Sequence, residues 1–173
     1  MSVLATDVSR VLTVTLRHLA VLSQDPDPDA VVQASFDAAL FALDLEAAAV
    51  VALDGPLASV VAQRGLTAAE LELFRGAVGE LPDWCHLGVE ESTVGVLIAP
   101  HGSAPTGRVL GCGAAADGTT TVLYVLSRDQ REFSADDVLL LSLLAHQMFG
   151  ALARFTCWPR RTDDVGTPRP CGS

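Results

Sequence analysis

Apolar side chains recur at helical spacing in four stretches of the chain and form short, nearly unbroken runs in five others. The most informative region is Thr119 to Arg154. Every residue from Val122 to Leu126 is apolar or aromatic, as in a central strand covered on both faces. A polar turn follows, and Ser134 then stands where a helix N-cap belongs, with Asp137 in the place of a capping-box acid. Phe133 and Val138 flank the cap at the spacing of a hydrophobic staple. Beyond it Val138, Leu141, Leu144, Ala145, Met148 and Leu152 make one apolar stripe, and Leu139, Leu140, Leu143 and Phe149 carry apolar surface further round the helix. Such a helix calls for two partners, the sheet it follows and something else.

Upstream, residues 4 to about 23 read as a helix with a stripe of Val8, Leu12, Leu16 and Leu19, widened by Val11, Val14, Val21 and Leu22. Asp25-Pro26-Asp27-Pro28 breaks it, and Pro28 suits the first turn of a second helix running to about Leu43. The inward face there is expected to hold Val32, Phe36, Ala39, Leu40 and Leu43. Ala47 to Leu53 and Leu57 to Gln63 read as strands joined at Asp54-Gly55, a hairpin turn signal. A third helix is expected over roughly 68 to 80, aligning Leu71, Phe74 and Val78 and ending at Pro82. Val94 to Ala99 and Arg108 to Ala116 are further strands, the second joined at Asp117-Gly118 to the central strand. The pattern is that of an α+β domain with an antiparallel sheet of about five strands.

The closing block is similar to the end of a GAF domain, a sensory fold related to PAS. The residues that carry the likeness are Phe133, Ser134, Asp137, Leu144, Ala145, Gln147, Ala151 and Leu152. They specify a fold and no chemistry. The resemblance spans residues 28 to 154, leaving 1–27 as an N-terminal helix with its Pro-rich break and 155–173 as a disordered tail. It implies the strand order 2-1-5-4-3, with the first, second and last helices on one face. The third helix and the loop 81–93 would then cover the other face and enclose a ligand cavity. Trp84, Cys85, His86, Cys112 and Tyr124 are the pocket candidates. The segment before the third strand is compressed relative to the family, which implies a small or closed cavity.

Half the residues are apolar and the formal charge is −10, which argues for a folded domain and against nucleic-acid or anionic-membrane surfaces. No stretch reads as a transmembrane span or a signal peptide, so a cytoplasmic protein is expected, with Cys85, Cys112, Cys157 and Cys171 as reduced thiols. Cys85-His86 resembles the bilin-attachment pair of phytochrome-like GAF domains, but the rest of that pocket is not evident. Zinc on Cys85, His86, His101 and Cys112 lacks a recognised ligand spacing. Haem would need His86, His101 or His146 as axial ligand. The cofactor is therefore left unknown, and the chain reads as no enzyme. Free methionine sulfoxide reductases share the fold, and a thiol pair of Cys85 and Cys112 across a cavity is the enzymatic alternative.

The resemblance also implies signalling through the terminal helices, with a small molecule or a signalling protein as partner and any output acting in trans. Val8, Leu12, Leu19, Leu139, Leu143 and Phe149 are the residues expected to pair two copies in a homodimer. A ligand-free dimerisation or scaffold module is the other reading.

Overall fold

The computed structural model describes residues 3–24, 26–54, 57–72, 92–98, 105–116, 119–129 and 131–155. Helices α1 (Val3–Leu22) and α2 (Pro28–Leu43) lead into strands β1 (Ala47–Asp54) and β2 (Leu57–Arg64). The start of a helix, α3, is described over 68–72. Strands β3 (Ser92–Ile98), β4 (Pro105–Ala116) and β5 (Thr119–Ser127) precede helix α4 (Ala135–Leu152). The strands form one antiparallel sheet in the order β2-β1-β5-β4-β3, the order implied by the resemblance. The pairs Asp54↔Leu57 and Ala116↔Thr119 close β1–β2 and β4–β5 as hairpins, while the turn residues Gly55 and Gly118 lie outside the described residues.

The central strands β1 and β5 have no charged residue before Asp54 and are buried on both faces. Their alternate side chains therefore sort into two cores. Ala48, Val50, Leu123 and Val125 join Leu110 and Cys112 of β4 beneath the helices. Ala47, Ala49, Val51, Leu53, Val122, Tyr124 and Leu126 make the second core, with Val60, Leu66 and Val109 packed against it.

α2 and α4 pack on the first face of the sheet, and α1 packs against those helices on the same side. α2 begins at Asp27, whose side chain accepts the Ala30 N–H at 2.7 Å, and Pro28 occupies the first turn. It buries Val31, Val32, Ser35, Phe36, Ala38, Ala39 and Leu43, with Leu40 half-buried. α4 carries the expected capping box: Asp137 N–H donates to Ser134 Oγ at 3.2 Å, and Ser134 N–H donates to the Asp137 carboxylate at 2.8 Å. It buries Leu140, Leu141, Leu144, Ala145, Met148, Ala151 and Leu152. Each large side chain among these is worth about 1.5–3 kcal/mol of apolar burial. By length and composition α4 also passes as a membrane-spanning helix; the side chains it buries face α2 and the sheet, while Leu139 and Leu143 stay exposed.

Two glycines are held by their surroundings. Gly65 has φ of +72°, and a Cβ there would stand 2.0 Å from the Glu46 carbonyl oxygen. Gly111 lies opposite Tyr124 in the β4–β5 pair, and a Cβ would meet the tyrosine ring at 2.6 Å. The ring thus lies over the glycine.

Candidate functional site

Trp84, Cys85 and His86 lie outside the described residues. Cys112 and Tyr124 are described, and the register separates them. Cys112 pairs with Leu123 and faces the helices, whereas Tyr124 is one step along β5 and faces the opposite side. Both are buried. Cys112 is a free thiol packed among apolar side chains of the helix-side core. The two do not line one cavity. Among the described residues no three His, Cys, Asp or Glu side chains gather to hold a metal ion.

At the margin of the second core, the start of α3 is clasped to the end of β5. Thr67 and Glu70 form a capping box: the Thr67 N–H donates to Glu70 Oε2 at 2.8 Å, and the Glu70 N–H donates to Thr67 Oγ1 at 3.2 Å. Arg128 donates to the same carboxylate from Nε at 2.7 Å and from Nη2 at 2.9 Å, and Nη2 also donates to the Gly65 carbonyl at 2.6 Å. The Arg128 hydrogen bonds, with smaller help from Thr67, hold the Glu70 carboxyl at about 2 despite its burial. The clasp fixes where α3 leaves the sheet. The Thr-x-x-Glu spacing of residues 67–70 was its sequence signal.

Among the described residues, five of the six exposed large hydrophobic side chains lie on the terminal helices, the sixth being Phe41 of α2. The α1 stripe points away from the protein's own core: Leu12 and Leu16 are each 57% exposed and Leu19 is 42% exposed. The inward face of α1 is instead Val14 and His18, with Val11 and Leu22 partly buried. The Val8 side chain is outside the described set. On α4, Leu139 is 70% and Leu143 45% exposed, while Phe149 is half-buried against the helix-side core. Leu12, Leu16 and Leu19 follow the alternating four-and-three spacing of a helix-pairing seam, as do Leu139, Leu143, His146 and Gly150. His146 and Gly150 are exposed, and nothing lies within 4 Å of a Cβ built on Gly150.

His18 is the polar residue that the sequence reading passed over. It is 2% exposed and bridges three helices. Its Nδ1 is 2.9 Å from Gln147 Oε1 on α4, and its Nε2 is 2.8 Å from Ser35 Oγ on α2. Ser35 also reaches the Val31 carbonyl at 2.8 Å. The order Gln-His-Ser has the outline of a nucleophilic triad. Ser35, however, has no exposed surface, so no substrate reaches its hydroxyl. Burial holds the His18 imidazole below its ordinary value, and the Gln147 hydrogen bond opposes that in part. Beside it, Val14, Arg17, Val21, Ala34, Asp37, Ala38 and Phe41 line a groove of about 300 Å³ between α1 and α2. Asp37 is paired with Arg64 of β2.

No protein-family model matches the chain, and no curated protein matches it. Solved structures do. The GAF domain of a protein assigned as a sensor histidine kinase from Pseudomonas syringae pv. tomato superposes with a TM-score of 0.57 at 17% identity, covering 87% of this chain and 90% of that one. The GAF domain of an Acinetobacter phosphoenolpyruvate-protein phosphotransferase gives 0.58 at 17% identity, covering 83% and 93%. An N-acylhomoserine lactone-dependent LuxR-family transcription factor from Burkholderia cenocepacia gives 0.57 at 15% identity, covering 84% and 94%. At these identities the likeness is one of fold, and the fold is GAF-like.

Proposed function

We propose, with the GAF-like fold as premise, that this domain is a sensory or regulatory module that works as a homodimer through its terminal helices. The observation that carries the reading is the pair of leucine seams, Leu12-Leu16-Leu19 on α1 and Leu139-Leu143 on α4, open to solvent in the single chain. Leucines at this spacing are costly to leave wet and fit a helical bundle built across a two-fold axis. α1 and α4 are the first and last elements in chain order, and they meet at His18 and Gln147, so a change in one is felt by the other. The input is a small molecule or a partner protein held on the sheet face opposite the helices, where Tyr124 is placed. Trp84, Cys85 and His86 remain the candidates to complete that pocket. One neighbour in fold is dependent on N-acylhomoserine lactone, which supports small-molecule sensing as a use of this architecture.

Native mass spectrometry of protein purified from its source tests both halves together. The expected result is a species of twice 18.1 kDa carrying a small-molecule or protein adduct. A bare species of 18.1 kDa would overturn the reading. A bare dimer would replace the sensor with a scaffold.

A further inference from the structure

The helix layer holds its three members together at one imidazole. We infer that His18 is a proton-operated latch: neutral, it ties α1 to α2 and α4, and acid releases α1 from the bundle. The inference holds for one chain or two, and for any ligand.

Burial, not the hydrogen bonds, keeps the ring neutral when the latch is closed: His18 is almost fully shielded from water and its two side-chain partners are uncharged. Nδ1–H donates to Gln147 Oε1, and Nε2 takes the Ser35 hydroxyl proton, which Val31 O competes for at the same 2.8 Å. A second proton turns Nε2 into a donor and returns the Ser35 proton to Val31. The charged ring thus completes one more hydrogen bond than the neutral ring, but against that gain stands a buried positive charge between two neutral partners. The charged groups sharing the groove are Arg17 on α1, of the same sign, and Asp37 on α2, which already serves Arg64. From α4 the imidazole meets the neutral amide of Gln147. Nothing among these offsets the charge, so it is relieved by hydrating the ring. The groove between α1 and α2 already borders the ring, which makes withdrawal of α1 the short route to water.

The sign follows from linkage. Burial holds the His18 imidazole below 6.5 in the folded chain, so the opened form binds the proton more readily. The closed latch is at full strength above the ordinary value of 6.5 and weakens as pH falls below it towards the lowered folded value.

The test is hydrogen exchange of the full chain, read by mass spectrometry from about pH 7.5 to about pH 5.5 and corrected for intrinsic exchange, with His18→Gln alongside. In the wild type, α1 amides should lose protection by up to ~tenfold per pH unit below 6.5 while β1 and β5 amides hold theirs. In His18→Gln that slope should vanish, although His86, His101 and His146 remain. An unchanged slope in the variant, or flat α1 protection in the wild type, would overturn the latch. An NMR titration of the wild-type His18 ring stands independently of how the variant folds. Titration at or above 6.5 also overturns it.

Discussion

The two terminal helices are built on the same surface plan and anchored in different ways. Each presents leucines to solvent, Leu12, Leu16 and Leu19 on α1 and Leu139 and Leu143 on α4. Beneath that surface α4 buries seven side chains and starts at a reciprocal cap. The described part of α1 buries Val14 and His18. Its Thr13 and Thr15 hydroxyls turn back to the carbonyls of Ser9 and Val11 at 2.8 and 2.9 Å, serving the helix itself. α4 is thus a core element that also has an outer seam. α1 is mostly outer seam, held inward by a short apolar contact and one polar junction. The lesson is that apolar content does not say which way a helix faces. On the described part of α1 more leucine lies outside than inside, and burial of Val14 and His18, not leucine content, marks its inward face.

The largest effect should separate the helices by stability. Leu144→Ala on α4 removes a side chain with no exposed surface and should cost about 3 kcal/mol in urea unfolding. Leu16→Ala on α1 should stay within about 0.5 kcal/mol under dilute, dissociated conditions and act on self-association instead. Equal losses would erase the distinction between core helix and seam helix.

A second contrast sets the α1 junction against the clasp below α3, because the two titrate in separate windows. The folded Glu70 carboxyl sits at about 2 against an ordinary 4.5, so its contribution is complete above 4.5 and is lost as pH falls from there towards 2. His18 acts below 6.5. Glu70→Gln, which leaves Arg128 without its carboxylate, should cost about 2 kcal/mol at neutral pH and flatten acid unfolding in the lower window only. Loss of the upper window in this variant would show that the two regions are coupled. The smallest effect is expected at the start of α4, where Ser134→Ala should cost about 1 kcal/mol in chemical unfolding and leave α1 exchange untouched.

Much of this was legible in the sequence where local chemistry and global packing agree. Ser134 and Asp137 announced the α4 cap, Leu141, Leu144 and Met148 its buried face, and the run Val122–Leu126 a central strand. The strand order came with the resemblance, since no pattern in five apolar runs fixes which are neighbours. The direction of α1 was not legible. It has a leucine face and a valine face, and the choice between them is made by what α2 and α4 present. His18 lies four residues after Val14 and four before Leu22, on the face that turns inward, and its partners Ser35 and Gln147 lie on other helices. Read singly, each is an ordinary polar residue. The separation of Cys112 from Tyr124 rests on register: strand alternation says that neighbours oppose, but only the pairing Cys112↔Leu123 says which side of β5 the thiol shares.

We propose above all that a second copy covers the leucine seams of α1 and α4. Light scattering on the eluting full chain measures this directly, comparing the wild type with the double variant Leu16→Glu, Leu143→Glu. The wild type should elute at twice 18.1 kDa and the variant at 18.1 kDa with its helical signal intact. A wild type of 18.1 kDa at high concentration, or a variant that stays dimeric, would contradict it.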